Sequence, residues 1–458
     1  MAVREDVLRE LETGFSHAVL VFPDADGYPI GVATQYRVDA TRGVLLLDPP
    51  AGDEVTPPEG AEVNVIVSHI RPLEIGYDER RYVQVWGTLS REGGRLAMQP
   101  TRSQSWDEAK VPFFQYSEVT VPQAHDYLEK LGRERGRPIR PRLSFGWLAL
   151  RTTRAPFLTA TLVPVILGVA VAALEARWSL WLAFLTFLGG AFVHLGLNVS
   201  NDVFDTLSGA DAANTTPTQF SGGSRVAHYG LVRLRTLALL SAGFYLLGIS
   251  IGLYLAVERG FWPLFWIGAA GVVISLAYTA PPLRLVHRGI GEVAVALGFG
   301  PIMLLGSYYV QAQRISFEAV FVSIPVAILI ALVLYVNEIP DRAGDAAAGK
   351  RTMPVRLSKD AVIGGYVGAV GIAYALIAAG AVTGILPRPT ILALATIPIA
   401  ARVGRALRRD YEDPYALMFS AMGKNIQVHL FTGLLLFAGY LIAIAADRWL
   451  EKVPFFLR

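Results

Sequence analysis

Long apolar runs with almost no charged residues dominate the chain beyond residue 155. Each run is about 20 residues long, the length at which an α-helix crosses roughly 30 Å of hydrocarbon. Connections containing Arg, Lys, Gly or Pro separate the runs. The pattern predicts an all-α membrane bundle of nine transmembrane helices, over residues 156–174, 178–200, 235–256, 261–279, 290–311, 317–337, 361–385, 389–407 and 427–446.

The first 131 residues follow a shorter pattern. Runs rich in Val, Leu and aromatic residues alternate with Asp-Gly, Pro-Pro or Gly-Gly pairs, which predicts strands over residues 17–22, 43–48, 61–67 and 81–89. Closely spaced strands with hairpin signals are typical of a small antiparallel barrel. Residues 122–134 are predicted to be helical, and the basic Pro/Gly stretch that follows is a natural domain boundary.

The chain is therefore predicted to be multidomain. We expect a soluble antiparallel barrel over residues 1–131, a basic linker over 132–150 and a transmembrane domain over 151–450. Only 17% of the residues are charged, against roughly 25% in soluble domains, which agrees with a large lipid-embedded part. Residues 1–14 are polar and predict no signal peptide.

The composition also excludes some chemistry. The chain has no cysteine, so disulfides, thiolate catalysis and Cys-ligated zinc or iron–sulfur clusters are ruled out. The net charge of +3 is small and gives no reason to expect a nucleic-acid partner. The lipid bilayer is the partner that the pattern predicts.

Basic residues are unevenly distributed over the predicted connections. One alternating set is rich in them, and the other carries a single arginine each: Arg177, Arg259, Arg314 and Arg388. Cytoplasmic loops of membrane proteins carry an excess of Lys and Arg. The rich set, the linker and the N-terminal domain are therefore predicted to be cytoplasmic, in a multi-pass protein of the cell membrane.

Two acidic groups lie at the ends of predicted spans, on the predicted cytoplasmic side. They comprise Asn201, Asp205 and Asp211, and Asn337, Asp341 and Asp345. Residues four apart share a helix face, and carboxylates near a bilayer are costly enough to be functional by default. Mg²⁺ takes oxygen ligands from carboxylates and substrate phosphates, so the pair predicts a Mg²⁺-bridged diphosphate. The alternative is that both groups are merely solvated helix ends.

Basic and aromatic residues near these groups are candidate diphosphate contacts. Ser221-Gly-Gly-Ser-Arg225 combines glycines, whose backbone N–H groups can approach an anion, with a guanidinium group. Lys350 and Arg351 offer further positive charge, and a third connection carries Tyr278 and Arg284. The alternatives are a positive-inside signal for the basic residues and an interfacial aromatic belt for Tyr278.

These residues resemble the UbiA superfamily of intramembrane aromatic prenyltransferases, over about residues 150–450. Asn201-Asp-Val-Phe-Asp205 with Asp211, the segment from Asn337 to Asp345, and Phe220-Ser-Gly-Gly-Ser-Arg-Val226 are similar to the branch that prenylates 1,4-dihydroxy-2-naphthoate in menaquinone synthesis. The resemblance implies a nine-helix bundle, Mg²⁺ as cofactor, a polyprenyl diphosphate and an aromatic acceptor. It gives the Mg²⁺–diphosphate role to Asn201, Asp205, Asp211, Asp341 and Asp345.

The N-terminal segment resembles split-barrel flavoproteins of the pyridoxamine-phosphate-oxidase type. The resemblance rests on Gly31-Val-Ala-Thr-Gln35, residues 61–71 and Val83-Gln-Val-Trp-Gly-Thr-Leu-Ser90. It implies an FMN site to which Arg71 contributes, and a homodimer, because such barrels pair to form the site. The alternatives are a surface role for Arg71 and a domain without a cofactor.

Several functions remain open at this point. The first is polyprenyl transfer to an aromatic acceptor, either the naphthoate or another ring. The second is a membrane-anchored flavin or deazaflavin reductase acting on quinones. A transporter is the third, but its sites are expected near the bilayer midplane, whereas the acids here lie at span ends.

Overall fold

The computed structural model divides the chain into two compact units, Met1–Arg140 and Pro141–Arg458. The description below covers residues 8–452, except for 9, 13–14, 16–17, 25–26, 50–56, 73–76, 111–112, 140–144 and 176. The predicted order is confirmed, because an antiparallel sheet precedes a helical membrane domain.

The N-terminal unit contains a seven-stranded sheet whose order is β2-β1-β5-β6-β7-β4-β3, with antiparallel pairing throughout. The strands are β1 Ala18–Pro23, β2 Pro29–Thr34, β3 Tyr36–Asp39, β4 Val44–Leu47, β5 Glu62–Pro72, β6 Tyr77–Glu92 and β7 Arg95–Asp107. Alternate side chains point to one core, in which Leu20, Leu45, Val65 and Val85 are fully buried. A helix, α1 Phe113–Glu134, follows the sheet.

The sheet is not closed into a barrel, so that part of the prediction is wrong. Among the described residues no ladder pairs the two edge strands, β2 and β3. These strands are nevertheless consecutive in the chain, with only Gln35 between them. The sheet therefore coils until the backbone, and not a ladder of hydrogen bonds, joins its two edges. The periodicity of apolar residues along single strands cannot distinguish such a sheet from a closed barrel.

The C-terminal unit begins with α2 Phe145–Thr153. Nine helices in the described part of the chain are long and apolar enough to span a membrane, which confirms the predicted number and makes this a multi-pass membrane protein. The spans are α3 Ala155–Leu174, α4 Leu180–Ser208, α6 Leu234–Arg259, α7 Phe261–Thr279, α8 Gly291–Ala312, α9 Phe317–Ala347, α11 Lys359–Thr383, α12 Arg388–Asp410 and α13 Pro414–Asp447. Two short helices, α5 Ala210–Ala213 and α10 Met353–Arg356, connect them.

Two of these helices continue well beyond the predicted apolar runs. Helices α4 and α9 extend to Ser208 and Ala347, so that α4 carries Asn201 and Asp205 and α9 carries all three polar residues of the second acidic group. Hydropathy ends a span where charge begins, whereas backbone hydrogen bonding continues through the acids. The extension places Asn201 and Asp205 on one face of α4, and Asn337, Asp341 and Asp345 on one face of α9.

Candidate active site

The two acidic groups line one cavity, at the ends of α4 and α9. This acidic cavity, of about 180 Å³, receives Asn201 and Asp205 from α4 and Asp211 from α5. Helix α9 contributes Asn337, Asp341 and Asp345. The structure therefore brings all six predicted residues together, although about 130 residues of chain separate the groups.

The first group is arranged by the end of α4. Asn201 Nδ2 donates to Asp205 Oδ2 at 3.1 Å, one turn away on the same face. Gly209 ends the helix with φ 77°, and α5 then presents Asp211, which accepts from Thr206 Oγ1 at 3.1 Å. Asp211 thus lies on a short helix of its own, α5. Burial raises the pKa of Asp211 to about 7, and the Asp205 and Asp202 charges add to the effect.

The glycine-rich loop is tied to the second group. Asp341 accepts from the Gly222 N–H at 2.9 Å and from Asn214 Nδ2 at 2.8 Å. Gly223 has φ 73°, and a Cβ on it would lie 3.0 Å from Asp202 Oδ1, so this position requires glycine. The Gly222 N–H therefore binds a carboxylate of the protein itself, where the sequence predicted an approach to the substrate.

Lys350 joins the two groups electrostatically. Its Nζ lies 2.6 Å from Asp205 Oδ1 and 3.8 Å from Asp345 Oδ1, and its side chain is only 8% exposed. Burial works against the ammonium charge, but the Asp205 and Asp345 carboxylates outweigh it and hold the pKa of Lys350 above its ordinary value. One cation thus offsets part of the negative charge of the cavity.

The other predicted contacts are distributed differently. Tyr278 lines the acidic cavity and is buried. Arg225 is also buried but is absent from the cavity wall, and its guanidinium group donates to Asn214 O at 3.1 Å and lies over the Tyr229 ring. Arg284 and Arg351 are exposed, and neither lines the cavity. Arg225 therefore stabilises the glycine-rich loop through Asn214 and does not reach the cavity.

Several wall residues were missed by the sequence reasoning. Arg154 precedes α3 with φ 52°, and Asn214, His194 and Glu338 also line the cavity. Glu338 directly follows Asn337 in the second acidic group, so its position was a signal that could have been noticed. Only the fold shows that all four side chains line the same cavity as the acids.

The donor set fits Mg²⁺ held together with a substrate. No three acids or histidines in the described ranges lie close enough to ligate an ion by themselves. Carboxylates from both groups line the cavity, however, and the buried Asn337 Oδ1 has no hydrogen-bond partner among the described residues. Mg²⁺ needs only one or two carboxylates when phosphate oxygens complete its shell. The arrangement therefore suits a metal that arrives with a diphosphate.

Apolar space continues from the acidic cavity into the membrane domain. His194, Leu197, Tyr278, Val295 and Phe299 are shared with a neighbouring cavity of about 70 Å³. That cavity in turn shares Gly190, Val193, Gly271, Ile302 and Met303 with a third, of about 370 Å³, between α4, α6, α7 and α8. We call the second and third cavities together the apolar groove. Aliphatic side chains and glycines form most of its wall.

Residues 161–423, more than half of the chain, match the UbiA prenyltransferase family. The chain belongs to this family. The match lies within the C-terminal unit and includes both acidic groups, the glycine-rich loop and Lys350. The membrane domain is thus a UbiA prenyltransferase domain, which makes the protein a prenyltransferase by family.

Two similar curated proteins are named as prenyltransferases of a naphthoate and a naphthoquinone. The chain is 26% identical over 300 residues to the 1,4-dihydroxy-2-naphthoate octaprenyltransferase of Bacillus subtilis, covering 66% of this chain and 94% of that protein. It is 29% identical over 300 residues to the 2-carboxy-1,4-naphthoquinone phytyltransferase of Synechocystis, covering 64% and 92%. A solved structure of a UbiA homolog from Archaeoglobus fulgidus bound to GPP and Mg²⁺ aligns at TM-score 0.48 with 14% identity, covering 65% and 99%.

The N-terminal flavin site stays a prediction. Arg71 lies in β5, where it pairs with Asp78 of β6, but its side chain is outside the described part of the structure.

Proposed function

We propose that this UbiA family member transfers a polyprenyl group from a polyprenyl diphosphate to 1,4-dihydroxy-2-naphthoate. The observation that carries the proposal is the acidic cavity, in which two Asn-Asp helix faces meet across Lys350 and which continues into the apolar groove. The names of the naphthoate and naphthoquinone prenyltransferase relatives support this aromatic acceptor.

The polar end of the prenyl donor is assigned to the acidic cavity. Asp205, Asp211, Asp341 and Asp345 would hold Mg²⁺, with Asn201 as a further oxygen donor. The metal, when bound, supplies positive charge that offsets the departing diphosphate. Lys350 is placed to exchange its ion pair with Asp205 for a diphosphate oxygen. Asn337 lines the same cavity, and its Oδ1 has no partner within the part of the chain that the structure describes.

The apolar end is assigned to the groove. The polyprenyl tail has no polar atoms, so it gains from leaving water and needs no hydrogen-bond partner along its path. Shared wall residues make the path continuous from Tyr278 and Phe299 to Gly271 and Met303. Few water molecules can remain around the reacting carbon between these apolar walls, which protects an allylic cation from hydrolysis.

The division of labour between the domains belongs to the same proposal. Residues 151–450 carry the chemistry, residues 132–150 form the linker, and the acidic cavity faces the cytoplasm, as the Lys and Arg distribution predicts. An FMN site and a homodimer in residues 1–131 are retained as predictions from the flavoprotein resemblance. They can be checked by the absorption spectrum and the mass of the purified protein.

The test is turnover of purified protein with radiolabelled polyprenyl diphosphates and a panel of aromatic acids. We expect prenylated naphthoate only with Mg²⁺ or Mn²⁺. Asp205→Asn and Asp341→Asn should each lose at least about 100-fold in rate, because each removes a charge worth several kcal/mol in the transition state. Asp360→Asn, at an exposed position in the first turn of α11, is the matched control. Full activity in EDTA, or in both site variants, would overturn the assignment.

A further inference from the structure

One carboxyl group in the acidic cavity has no role in the site described so far. Glu338 lies in α9 directly after Asn337, is 6% exposed and lines the cavity. Neither of its carboxyl oxygens accepts a hydrogen bond from an N–H or hydroxyl group in the described part of the chain. Burying such a group without a donor is costly, so its retention in the cavity wall requires an explanation.

The surroundings of Glu338 supply only part of what it lacks. Its neighbour is Glu292 of α8, which is 8% exposed and accepts from the Met353 N–H at 3.3 Å. The two carboxyl groups hydrogen-bond with each other, and the proton that they share occupies one oxygen of Glu338 and leaves the other open. Of the two cations in the cavity wall, Lys350 has its Nζ on Asp205 at 2.6 Å, and no ion pair joins Arg154 to Glu338 in the described part of the chain. A donor for the open oxygen therefore has to come from a bound molecule.

The space beside Glu338 suits a flat ring with a hydroxyl group. Tyr278 lies within electrostatic reach of both Glu338 and Glu292 and lines the same cavity. Val286 and Leu334 belong to the same apolar cluster as Tyr278, and Phe299 also lines the cavity. Apolar walls with one or two convergent polar groups are the usual composition of a small-molecule site, in which the polar groups fix the orientation.

We propose that Glu338 binds a ring hydroxyl of the aromatic acceptor, which donates a hydrogen bond to the carboxyl group next to Tyr278. This proposal rests on the prenyl-transfer function above. A phenolic hydroxyl that donates to a carboxylate gives electron density to its ring, and the same bond turns the ring toward the allylic carbon of the donor. Glu338 thus serves the acceptor, whereas the four aspartates serve the diphosphate.

The experiment compares Glu338→Gln with wild type, using 1,4-dihydroxy-2-naphthoate and its monomethyl ethers. Loss of a hydrogen bond to a charged group predicts a fall in kcat/KM for the acceptor of about 10- to 100-fold. The KM for the prenyl diphosphate and the Mg²⁺ dependence should not change. Wild type should discriminate against the ether that removes the bound hydroxyl, and the variant should lose most of that discrimination. A purely structural role of Glu338 would not alter this selectivity.

Glu318→Gln is the matched control, since it removes a partly buried acid from the other end of the same helix, near Tyr440. If Glu338→Gln does not fold, Glu338→Asp keeps the charge one methylene further away and should give an intermediate loss. Unchanged discrimination in a folded variant overturns the proposal. Loss of prenyl-diphosphate binding also overturns it, by placing Glu338 in the metal site. If wild-type protein prenylates no aromatic acceptor, the proposed function itself has failed.

Discussion

Lys350→Met tests whether a protein cation holds the acidic cavity together before substrate arrives. Methionine keeps much of the length of the lysine side chain and removes its charge. Lys350, Asp205 and Asp345 have side chains that are 8%, 11% and 12% exposed, so their pairing is largely shielded from water. Removing one partner from a buried ion pair costs about 3–5 kcal/mol, because the remaining charge is left uncompensated. We expect a lower free energy of unfolding by that order when no divalent cation is present.

Added Mg²⁺ should restore much of this loss. Without the ammonium group, Asp205 and Asp345 are left to bind a divalent cation, and a ligand at 100 times its Kd stabilises a protein by about 2.7 kcal/mol. In wild type, Lys350 already neutralises these carboxylates, so Mg²⁺ alone should stabilise it less. The assay is the midpoint of thermal unfolding in detergent, with and without Mg²⁺, for both proteins. The decisive quantity is the difference between their two Mg²⁺-induced shifts.

The control for this prediction is Lys359→Met. Lys359 begins α11 and lies over the Tyr411 ring at 5.5 Å, away from the acidic cavity. Its loss should leave the Mg²⁺-induced shift as in wild type. If Mg²⁺ shifts the unfolding midpoint of Lys350→Met and wild type equally, Lys350 is not the charge that balances the cavity, and the reasoning from the 2.6 Å contact is refuted.

Three further predictions follow from the architecture. A chain beginning at Pro141, the first residue of the second compact unit, should keep prenyl transfer with purified substrates, and a folded, diphosphate-binding but inactive product would contradict this. A single cysteine at Ala348 should resist an impermeant reagent in intact cells, while one at Glu258 should react; the reverse result would invert the orientation. Gly298→Leu adds a side chain to the wall of the apolar groove, at a position where a Cβ has open space. Activity with long prenyl donors should therefore fall more than activity with short ones. An equal loss for all donor lengths, or the same effect in the exposed control Gly364→Leu, would argue against the tail path.

Much of this fold could be predicted from the sequence, because it depends on local chemistry. Each span is specified by its own apolar residues, since lipid requires every backbone group to be satisfied within its helix. The nine predicted spans were confirmed for that reason. The end of α4 at Ser208 also has a local cause, because Gly209 adopts a left-handed conformation there. Whether the N-terminal sheet closes could not be predicted from the sequence, because closure depends on how the edge strands meet and not on the pattern within any strand.

Only some of the residues that line the acidic cavity could be predicted from neighbouring residues in the sequence. The spacing of Asn201 to Asp205, and of Asn337 to Asp345, indicated which side chains share a helix face, and the similar pattern indicated one site. The roles of the basic residues did not follow from spacing. Arg225, in the glycine-rich loop, donates behind the cavity, whereas Lys350 reaches Asp205 across 145 positions of chain.

By itself, therefore, the sequence determined the membrane class, the number of spans, the two acidic helix faces and the family. These are properties of short segments, which hydrophobic transfer and backbone hydrogen bonding decide residue by residue. The tertiary structure alone decided that Gly222 binds Asp341, that Lys350 balances Asp205, and that Glu338 lines the cavity with no N–H or hydroxyl donor among the described residues. Those facts depend on the distance between charges carried by different helices, and only packing sets that distance.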